Sequence, residues 1–201
     1  MAISTARLRN NSNFESHIAD YTSIMVQLFV ETLEQRQDVQ ILDVGPVCGE
    51  NIMFFAHRVT RLYVCDMFLR LDRNRRKGLP SSKFWGHLNY SPQSFDGIHL
   101  WDLCDHLNDL ELGRLADLCH TMLKPKGLVM VVAYEEQLSP LLVNSFVIRN
   151  DYRLKLRPQP HLNLPWYYRH NRALTSLLAP FTAVKSLRYH NGIREFLFQP
   201  G

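Results

Sequence analysis

The chain has 201 residues, of which 46% are hydrophobic and 21% charged, and this composition excludes a disordered, collagen-like or low-complexity protein. Lysine and arginine number 23 against 19 acidic residues, and the net charge of +4 allows a nucleic-acid partner without favouring one. The longest apolar run, residues 128–134, is far shorter than the roughly 20 residues that span a bilayer. Residues 1–11 carry no apolar stretch of signal-peptide length. We therefore expect one soluble, cytoplasmic domain over residues 1–201 with no membrane contact.

The cysteines have no close spacing, and each lies among apolar neighbours: Cys48, Cys65, Cys104 and Cys119. In the absence of an export signal, we interpret them as reduced thiols of the core. The nine histidines form no H-x-x-x-H pair, and none stands beside a C-x-x-C motif. No metal site is expected.

Helix-like and strand-like segments alternate through the first two thirds of the chain. Apolar residues at three- and four-residue steps predict an amphipathic helix over residues 14–37, which Asn13 could cap. The further predicted elements are a strand over 39–44, a turn over 45–49, a helix over 51–59, a strand over 62–65, a charged helix over 68–77, a weak strand over 83–87, a strand over 95–101, a helix over 110–123 and a strand over 128–134. This alternation predicts a parallel sheet with helices on both faces.

The last third of the chain is less regular. Four prolines break residues 135–165, which we interpret as an irregular segment with an accessory strand near 152–156, and a helix is predicted over 166–178. Two strand-like runs, 182–189 and 193–198, flank the sequence His190-Asn191-Gly192. Asn-Gly between such runs predicts a hairpin with a type I′ turn, so an antiparallel hairpin should close the sheet.

The strongest chemical signal is the turn that follows the strand at 39–44, whose sequence is Asp43-Val44-Gly45-Pro46-Val47-Cys48-Gly49. Glycines in such a turn let the backbone approach a ligand closely, and the helix that follows offers free N–H groups. The next strand ends on Asp66, where a carboxylate can accept hydrogen bonds from both hydroxyls of a ribose. The two features together favour a ribose-containing ligand.

These residues resemble the motifs of class I S-adenosylmethionine-dependent methyltransferases. The Asp43–Gly49 turn is similar to the first motif of that family, Asp-x-Gly-x-Gly-x-Gly, and Val64-Cys65-Asp66 to its second strand with the ribose-binding acid. Residues 94–102 resemble the fourth-strand motif, and Leu123-Lys124-Pro125-Lys126-Gly127 resembles the turn before the fifth strand. The resemblance covers residues 38–134 by motif and 166–199 by topology.

The resemblance implies an α/β fold: a three-layer α/β/α sandwich with a seven-stranded, mostly parallel sheet and an antiparallel C-terminal hairpin. Residues 1–37 would form a helical extension, and residues 135–165 could serve as a lid. The implied activity is methyl transfer from S-adenosylmethionine to an unidentified acceptor. Because residues 1–37 and 135–165 alone remain to enclose it, we expect a small molecule.

The resemblance also implies site roles. Gly45 and Gly49 would line the methionine part of the cofactor, and Asp43 would reach its amino group. Asp66 would hold the ribose and Met67 would pack on the adenine.

Trp101 and Asp102, at the end of the fourth strand, would lie near the methyl group. Structural alternatives stay open for three site residues: Asp43 could brace its turn, Asp66 could cap a helix, and Trp101 could belong to the core.

One departure from the family pattern is Val47, a β-branched residue where the family has its middle glycine. Either an active enzyme with a reshaped turn or a catalytically degenerate binding or scaffold protein would account for it. A nicotinamide-dependent oxidoreductase is a further alternative, but its Gly-x-Gly-x-x-Gly pattern would need glycines at Val47 and Glu50.

The acceptor has no recognisable signature, because the Asn-Pro-Pro-Tyr motif of nucleic-acid amino methylation is absent after the fourth strand. Asp102, Asp105 and His106 are the candidate bases, with a purely structural role for His106 as the alternative. The basic run 70–77 could contact phosphates or form a solvated helix face. The aromatic run 166–170 could stack on a planar substrate or pack against the sheet.

Overall fold

The computed structural model describes residues 20–136 and 142–201. Its elements are β1 (Tyr21–Thr22), α1 (Ile24–Glu34), β2 (Gln40–Asp43), α2 (Gly49–Ala56), β3 (Arg61–Val64), α3 (Met67–Arg76), β4 (Phe95–Trp101), α4 (Asp109–Met122), β5 (Leu123–Tyr134), β6 (Asn144–Ile148), β7 (Arg153–Pro158), α5 (Asn171–Leu177), β8 (Phe181–Arg188) and β9 (Ile193–Pro200). Two 3-10 helices cover Ser81–His87 and Leu103–His106. None of the helices in these two ranges is long and apolar enough to cross a membrane.

The main sheet has the strand order β3-β2-β4-β5-β9-β8. Strands β3, β2, β4 and β5 are parallel, and the terminal hairpin β8–β9 pairs with β5 in antiparallel register. One face packs on α1 and α2 through Phe29, Leu33 and Phe55. The other packs on α3 and α4 through residues such as Phe68 and Leu115. The predicted three-layer α/β/α sandwich with a C-terminal hairpin is therefore confirmed.

The prediction of a weak strand over residues 83–87 is wrong, and among the described residues the main sheet has six strands rather than seven. These residues belong to the 3-10 helix Ser81–His87, which buries Phe84 and Trp85 in the same cluster of the core. Successive side chains of a strand point to opposite faces, so a strand could not bury these two neighbours together.

The N-terminal helix is shorter than predicted, because α1 begins at Ile24. Ser23 caps it by accepting a hydrogen bond from the Val26 amide at 2.9 Å. The two residues before Ser23 form β1, which pairs with β7. The predicted cap Asn13 lies outside the described residues.

The segment 135–165 contains a β-hairpin rather than irregular chain alone. Strand β7 confirms the predicted accessory strand, and it pairs with β6 and β1 in a three-stranded antiparallel sheet. This small sheet is anchored on α2, because the Asn51 side chain donates to the Phe146 carbonyl and accepts from the Ile148 amide, both at 2.8 Å.

The C-terminal hairpin has a different turn from the one predicted. Gly192 has a φ of 77°, whereas Asn191 has no positive φ, so the type I′ turn is wrong. The Gly192 amide donates to the Tyr189 carbonyl at 3.0 Å, which gives a three-residue loop closed by a left-handed glycine.

The helix predicted over 166–178 begins only at Asn171. The preceding stretch is held extended by the buried guanidinium of Arg169, which donates to the carbonyls of Cys104 and Leu107 and to Asp109. The four cysteines are buried, as predicted, and none of them takes part in a disulfide bond.

Candidate functional site

The carboxyl ends of β2, β3 and β4 meet at one edge of the main sheet. Strand β2 lies between the other two in parallel register, so that Asp43 pairs with Val64 on one side and His99 on the other. This edge is where open α/β sheets bind ligands. It brings together the predicted site residues Asp43, Asp66 and Asp102, as the motif spacing predicts.

Asp43 is buried and engaged within its own turn. Its Oδ1 accepts hydrogen bonds from the Gly45 amide at 3.1 Å and from the indole Nε1 of Trp101 at 2.7 Å. Burial raises the pKa of Asp43 to about 6, although these two hydrogen bonds act in the opposite direction. Asp43 therefore braces the turn, as the structural alternative for this residue requires.

Trp101 closes the turn from the side of β4. Its φ is 51°, and its indole is 1% exposed in a stack between His99, with ring centroids 3.7 Å apart, and Phe146, at 5.5 Å. A Cβ added to Gly45 would lie 2.2 Å from the indole Cδ1. The face of Gly45 is therefore covered by a side chain of the protein itself.

The other end of the turn is open. A Cβ at Gly49, the first residue of α2, would meet no heavy atom within 4 Å. Val47 is 58% exposed and has no positive φ, so the turn does not require glycine at this position. The departure from the family pattern at Val47 is accommodated by the backbone.

Asp66 connects this turn to α3. It is half-buried; Oδ1 caps α3 by accepting from the Leu69 amide at 2.8 Å, and Oδ2 accepts from the Val47 amide at 3.2 Å. The capping role is therefore realised, while each carboxylate oxygen keeps a second lone pair. Met67, by contrast, has its side chain completely buried in the hydrophobic core.

The three candidate bases lie together just beyond β4. Asp102, Asp105 and His106 are all buried. The Nδ1 of His106 lies 2.9 Å from the Pro165 carbonyl oxygen, to which it donates, and its Nε2 lies 3.6 Å from Oδ2 of Asp102. Burial lowers the pKa of His106, but Asp102 and the Pro165 carbonyl outweigh burial and raise it above its ordinary value.

Asp105 faces the end of β5. Its Oδ2 accepts from the Tyr134 amide at 2.8 Å. Burial, reinforced by the charge of Asp102, raises its pKa to about 7 in spite of that hydrogen bond. A carboxyl group with this pKa can hold or release a proton near neutral pH.

Tyr134 and Trp166 join the candidate bases in space, which the sequence reasoning missed. The ring of Trp166 packs edge-on against Tyr134 and His106, with centroid distances of 5.4 and 5.6 Å. The available signals were the position of Tyr134 at the carboxyl end of β5 and the aromatic run 166–170. Neither signal specifies this contact.

Two residues of the basic run 70–77 are engaged in structural contacts, whereas Arg73 and Lys77 are exposed. Arg75 donates to the His106 carbonyl and to Glu111, and Arg76 pairs with Asp72. Elsewhere, an open groove of about 910 Å³ lies between α2 and the β6–β7 connection, and Gly49 lines it. Within residues 20–136 and 142–201, no group of His, Cys, Asp and Glu side chains could hold a metal ion.

The chain belongs to a methyltransferase family, because residues 16–185 match the family described as "Methyltransferase domain". A search of curated proteins finds no match.

Solved structures show the same fold at low sequence identity. An S-adenosylmethionine-dependent methyltransferase from Clostridium acetobutylicum is 13% identical with a TM-score of 0.57, covering 95% of this chain and 92% of its own. One from Mesorhizobium loti is 13% identical with a TM-score of 0.53, covering 86% and 96%. Streptomyces venezuelae DesVI is 13% identical with a TM-score of 0.52, covering 97% and 94%.

Proposed function

We propose that this domain binds S-adenosylmethionine at the carboxyl edge of the main sheet and catalyses transfer of its methyl group to a small-molecule acceptor in the cytoplasm. The main support for this proposal is the environment of Asp102, the residue that follows β4 beside the Asp43–Gly45 turn. It is 0% exposed, and neither carboxyl oxygen has a hydrogen-bond partner among the described residues, although Oδ2 lies 3.6 Å from Nε2 of His106. A buried polar group without a partner is costly, so such a group calls for an explanation such as contact with a ligand.

The residues at this edge fit the adenosine half of the cofactor. Asp66 is half-exposed and has lone pairs left for the ribose hydroxyls. The first residue of α2, Gly49, has open space around it. Met67, whose side chain is buried, would contribute the floor beneath an adenine rather than a face that stacks on it.

The methionine half fits only after a movement of Trp101. Gly45 would line this part of the cofactor and Asp43 would meet its amino group. In this structure, however, the indole of Trp101 covers Gly45 and donates a hydrogen bond to Asp43. The bound sulfonium supplies an already activated methyl group. The protein has only to bind and orient the two partners, exclude water and accept a proton.

The position of Trp101 also favours a second candidate function, binding of a nucleoside ligand without methyl transfer. In that case the indole stays against Gly45 and only the half of the edge near Asp66 is used. The family assignment supports methyl transfer in general, and it speaks against the nicotinamide-dependent alternative.

Calorimetric titration with S-adenosylmethionine and S-adenosylhomocysteine tests the proposal through Asp66. Asp66→Asn keeps an oxygen that can cap α3 but loses the charge, so nucleoside affinity should fall about tenfold or more while the melting temperature changes little. Asp117→Asn, a charge change at an exposed position on α4, is the matched control and should bind like the wild type. Absence of binding by the wild type would refute both candidate functions.

Turnover separates the two candidates. Methyl-labelled S-adenosylmethionine incubated with the protein and a small-molecule cell fraction should yield a labelled product. Tight binding with no label transferred would favour the binding protein.

A further inference from the structure

Next to the proposed cofactor site, and including its residue Asp102, buried polar atoms that lack a hydrogen-bond partner among the described residues concentrate at the carboxyl ends of β4 and β5. We call the five side chains that line this place the polar cluster: Asp102, Asp105, His106, Tyr134 and Trp166. Among the residues that the structure describes, the atoms without a hydrogen-bond partner are both Oδ atoms of Asp102, Oδ1 of Asp105, Nε2 of His106, the hydroxyl of Tyr134 and Nε1 of Trp166. Nε2 of His106 and Oδ2 of Asp102 lie 3.6 Å apart. The Nε of Arg194, whose Nη2 bonds the Tyr134 carbonyl at 2.5 Å, is unpartnered as well.

These side chains form one contiguous group. His106 lies 3.6 Å from Asp102, Trp166 packs on both His106 and Tyr134, and Asp105 binds the Tyr134 amide. Four of the five are at most 2% exposed, and Trp166 is the one partly open to solvent. So many unmet hydrogen bonds in one place point to a ligand rather than to a packing defect.

The balance of donors and acceptors indicates the chemistry of that ligand. Asp102 offers two carboxyl oxygens without a hydrogen-bond partner among the described residues, and Asp105 adds a third oxygen. The N–H groups of Trp166 and Arg194 are the unpartnered groups here that only donate. The Tyr134 hydroxyl and Nε2 of His106 can either donate or accept, so the three carboxyl oxygens outnumber the groups that only donate. The aromatic walls of the cluster also suit a cationic group.

We propose that the polar cluster binds a small organic amine, with Asp102 as its main hydrogen-bond partner. An amine supplies two or three N–H donors, whereas an alcohol supplies one. The amine's role as the methyl acceptor rests on the proposed function.

His106 is placed to receive the proton that such a reaction releases. Its Nδ1–H is committed to the Pro165 carbonyl, so the neutral ring has its free lone pair on Nε2. An ammonium group bound here would first release one proton to solvent. When the neutral amine then takes the methyl group, an N–C bond would form and the C–S bond would break, with its electron pair left on sulfur. The extra proton on nitrogen passes to Nε2, and Asp102 stabilises the resulting imidazolium.

Titration by NMR without cofactor tests the site. The probes are methylamine, cyclohexylamine and 2-phenylethylamine, each compared with the alcohol that replaces its amino group. At least one amine should shift the Trp166 indole N–H resonance saturably and bind about tenfold more tightly than its alcohol. Amine binding should also lower the pKa of His106, because a second cation then shares Asp102 while Asp105, Tyr134 and Arg194 stay in place.

Variants assign the effect to the cluster. Asp102→Asn should weaken amine binding about tenfold or more, and Asp117→Asn should leave it unchanged. If Asp102→Asn does not fold, Trp166→Phe, followed through the His106 ring resonances, should weaken binding by a smaller factor. Equal affinity for amines and alcohols, or no amine binding, would overturn this inference.

The proposed function is tested separately. S-adenosylmethionine binding that depends on Asp66, found together with no amine binding, would remove the amine site and leave the cofactor site standing. Amine binding without cofactor binding would remove the cofactor site and leave the amine site standing.

Discussion

The indole of Trp101 lies directly against the α-carbon of Gly45, with its Nε1 bonded to the Asp43 carboxylate at 2.7 Å. The contact requires a positive φ at Trp101, which folds the side chain at the end of β4 back over the neighbouring turn. Gly45 is thus needed in this structure to make room for a side chain of the same chain. The same absence of a Cβ would allow a ligand to approach once the indole moves.

Gly45→Ala should destabilise the protein, because the new methyl group would lie 2.2 Å from Cδ1 and 2.5 Å from Nε1 of the indole. The side chain would have to shift and lose its bond to Asp43, at a cost of about 1–3 kcal/mol, typical of an overpacked core. Gly49→Ala is the control, since no heavy atom lies within 4 Å of its Cβ and alanine favours the first turn of α2. Thermal unfolding measures both. Equal melting temperatures for the two variants would contradict the close contact.

Binding of the methyl donor should move Trp101 out of its stack. The chain has three tryptophans, so a variant with Trp85→Phe and Trp166→Phe reports on Trp101 alone. Its emission should shift to longer wavelength on titration with S-adenosylmethionine, because the indole passes from a buried stack toward water. Trp101→Phe in the wild-type background should bind the donor several-fold more tightly, because the smaller phenylalanine ring has no hydrogen bond to Asp43 that the donor must break. Saturable binding with unchanged emission would show that the indole stays, as the second candidate function requires.

Much of the fold follows from the sequence, because alternation of strands and helices fixes a parallel sheet and Asn-Gly marks the terminal hairpin. The predictions are wrong where contacts between distant parts of the chain determine the local structure. Residues 83–87 have the composition of a weak strand, but two neighbouring aromatics, Phe84 and Trp85, enter one core and impose a 3-10 helix. The start of α1 depends on pairing between β1 and β7, strands about 130 residues apart in the sequence.

The sequence predicts where the candidate site residues lie, but it does not predict which contacts their side chains make. Motif spacing correctly places Asp43, Asp66 and Asp102 at adjoining strand ends. Whether their oxygens are free depends on contacts that no spacing encodes: the indole over Asp43 and the Val47 amide on Asp66.

Stability should depend on pH through Asp105. Its pKa is about 7 in the folded protein against an ordinary 3.8, so the folded state keeps a proton that the unfolded state loses. Its contribution to stability is therefore complete below pH about 4 and is lost as the pH rises to about 7. Asp105→Asn keeps an oxygen for the Tyr134 amide but does not titrate. The melting temperature of the wild type, minus that of the variant, should fall between pH 4 and 7 and then level off.

The difference between the two proteins is the relevant measurement, because other groups titrate in both. Asp43, with a pKa of about 6, changes the stability of the protein in the same direction. His99 acts in the opposite direction: burial lowers its pKa to about 3, so its contribution to the stability of the protein is lost as the pH falls below its ordinary pKa of 6.5. A difference that stays constant from pH 4 to 7 would show that Asp105 is ionised throughout.

Tyr134→Phe should make the protein more stable and its amine site weaker. The Tyr134 hydroxyl is buried without a hydrogen-bond partner among the described residues, while its ring packs against Trp166 and Phe146. Removing the oxygen keeps the ring contacts and relieves a desolvation cost of about 1 kcal/mol or more, so the melting temperature should rise. If the hydroxyl serves a ligand, the same change should weaken binding of 2-phenylethylamine, which is the usual exchange of stability for function at a binding site. Tyr63→Phe, at a half-buried position on β3 away from the polar cluster, is the control and should leave amine binding unchanged. A Tyr134→Phe protein that melts lower than the wild type would show that the hydroxyl contributes to the fold, and the polar cluster would lose one of its members.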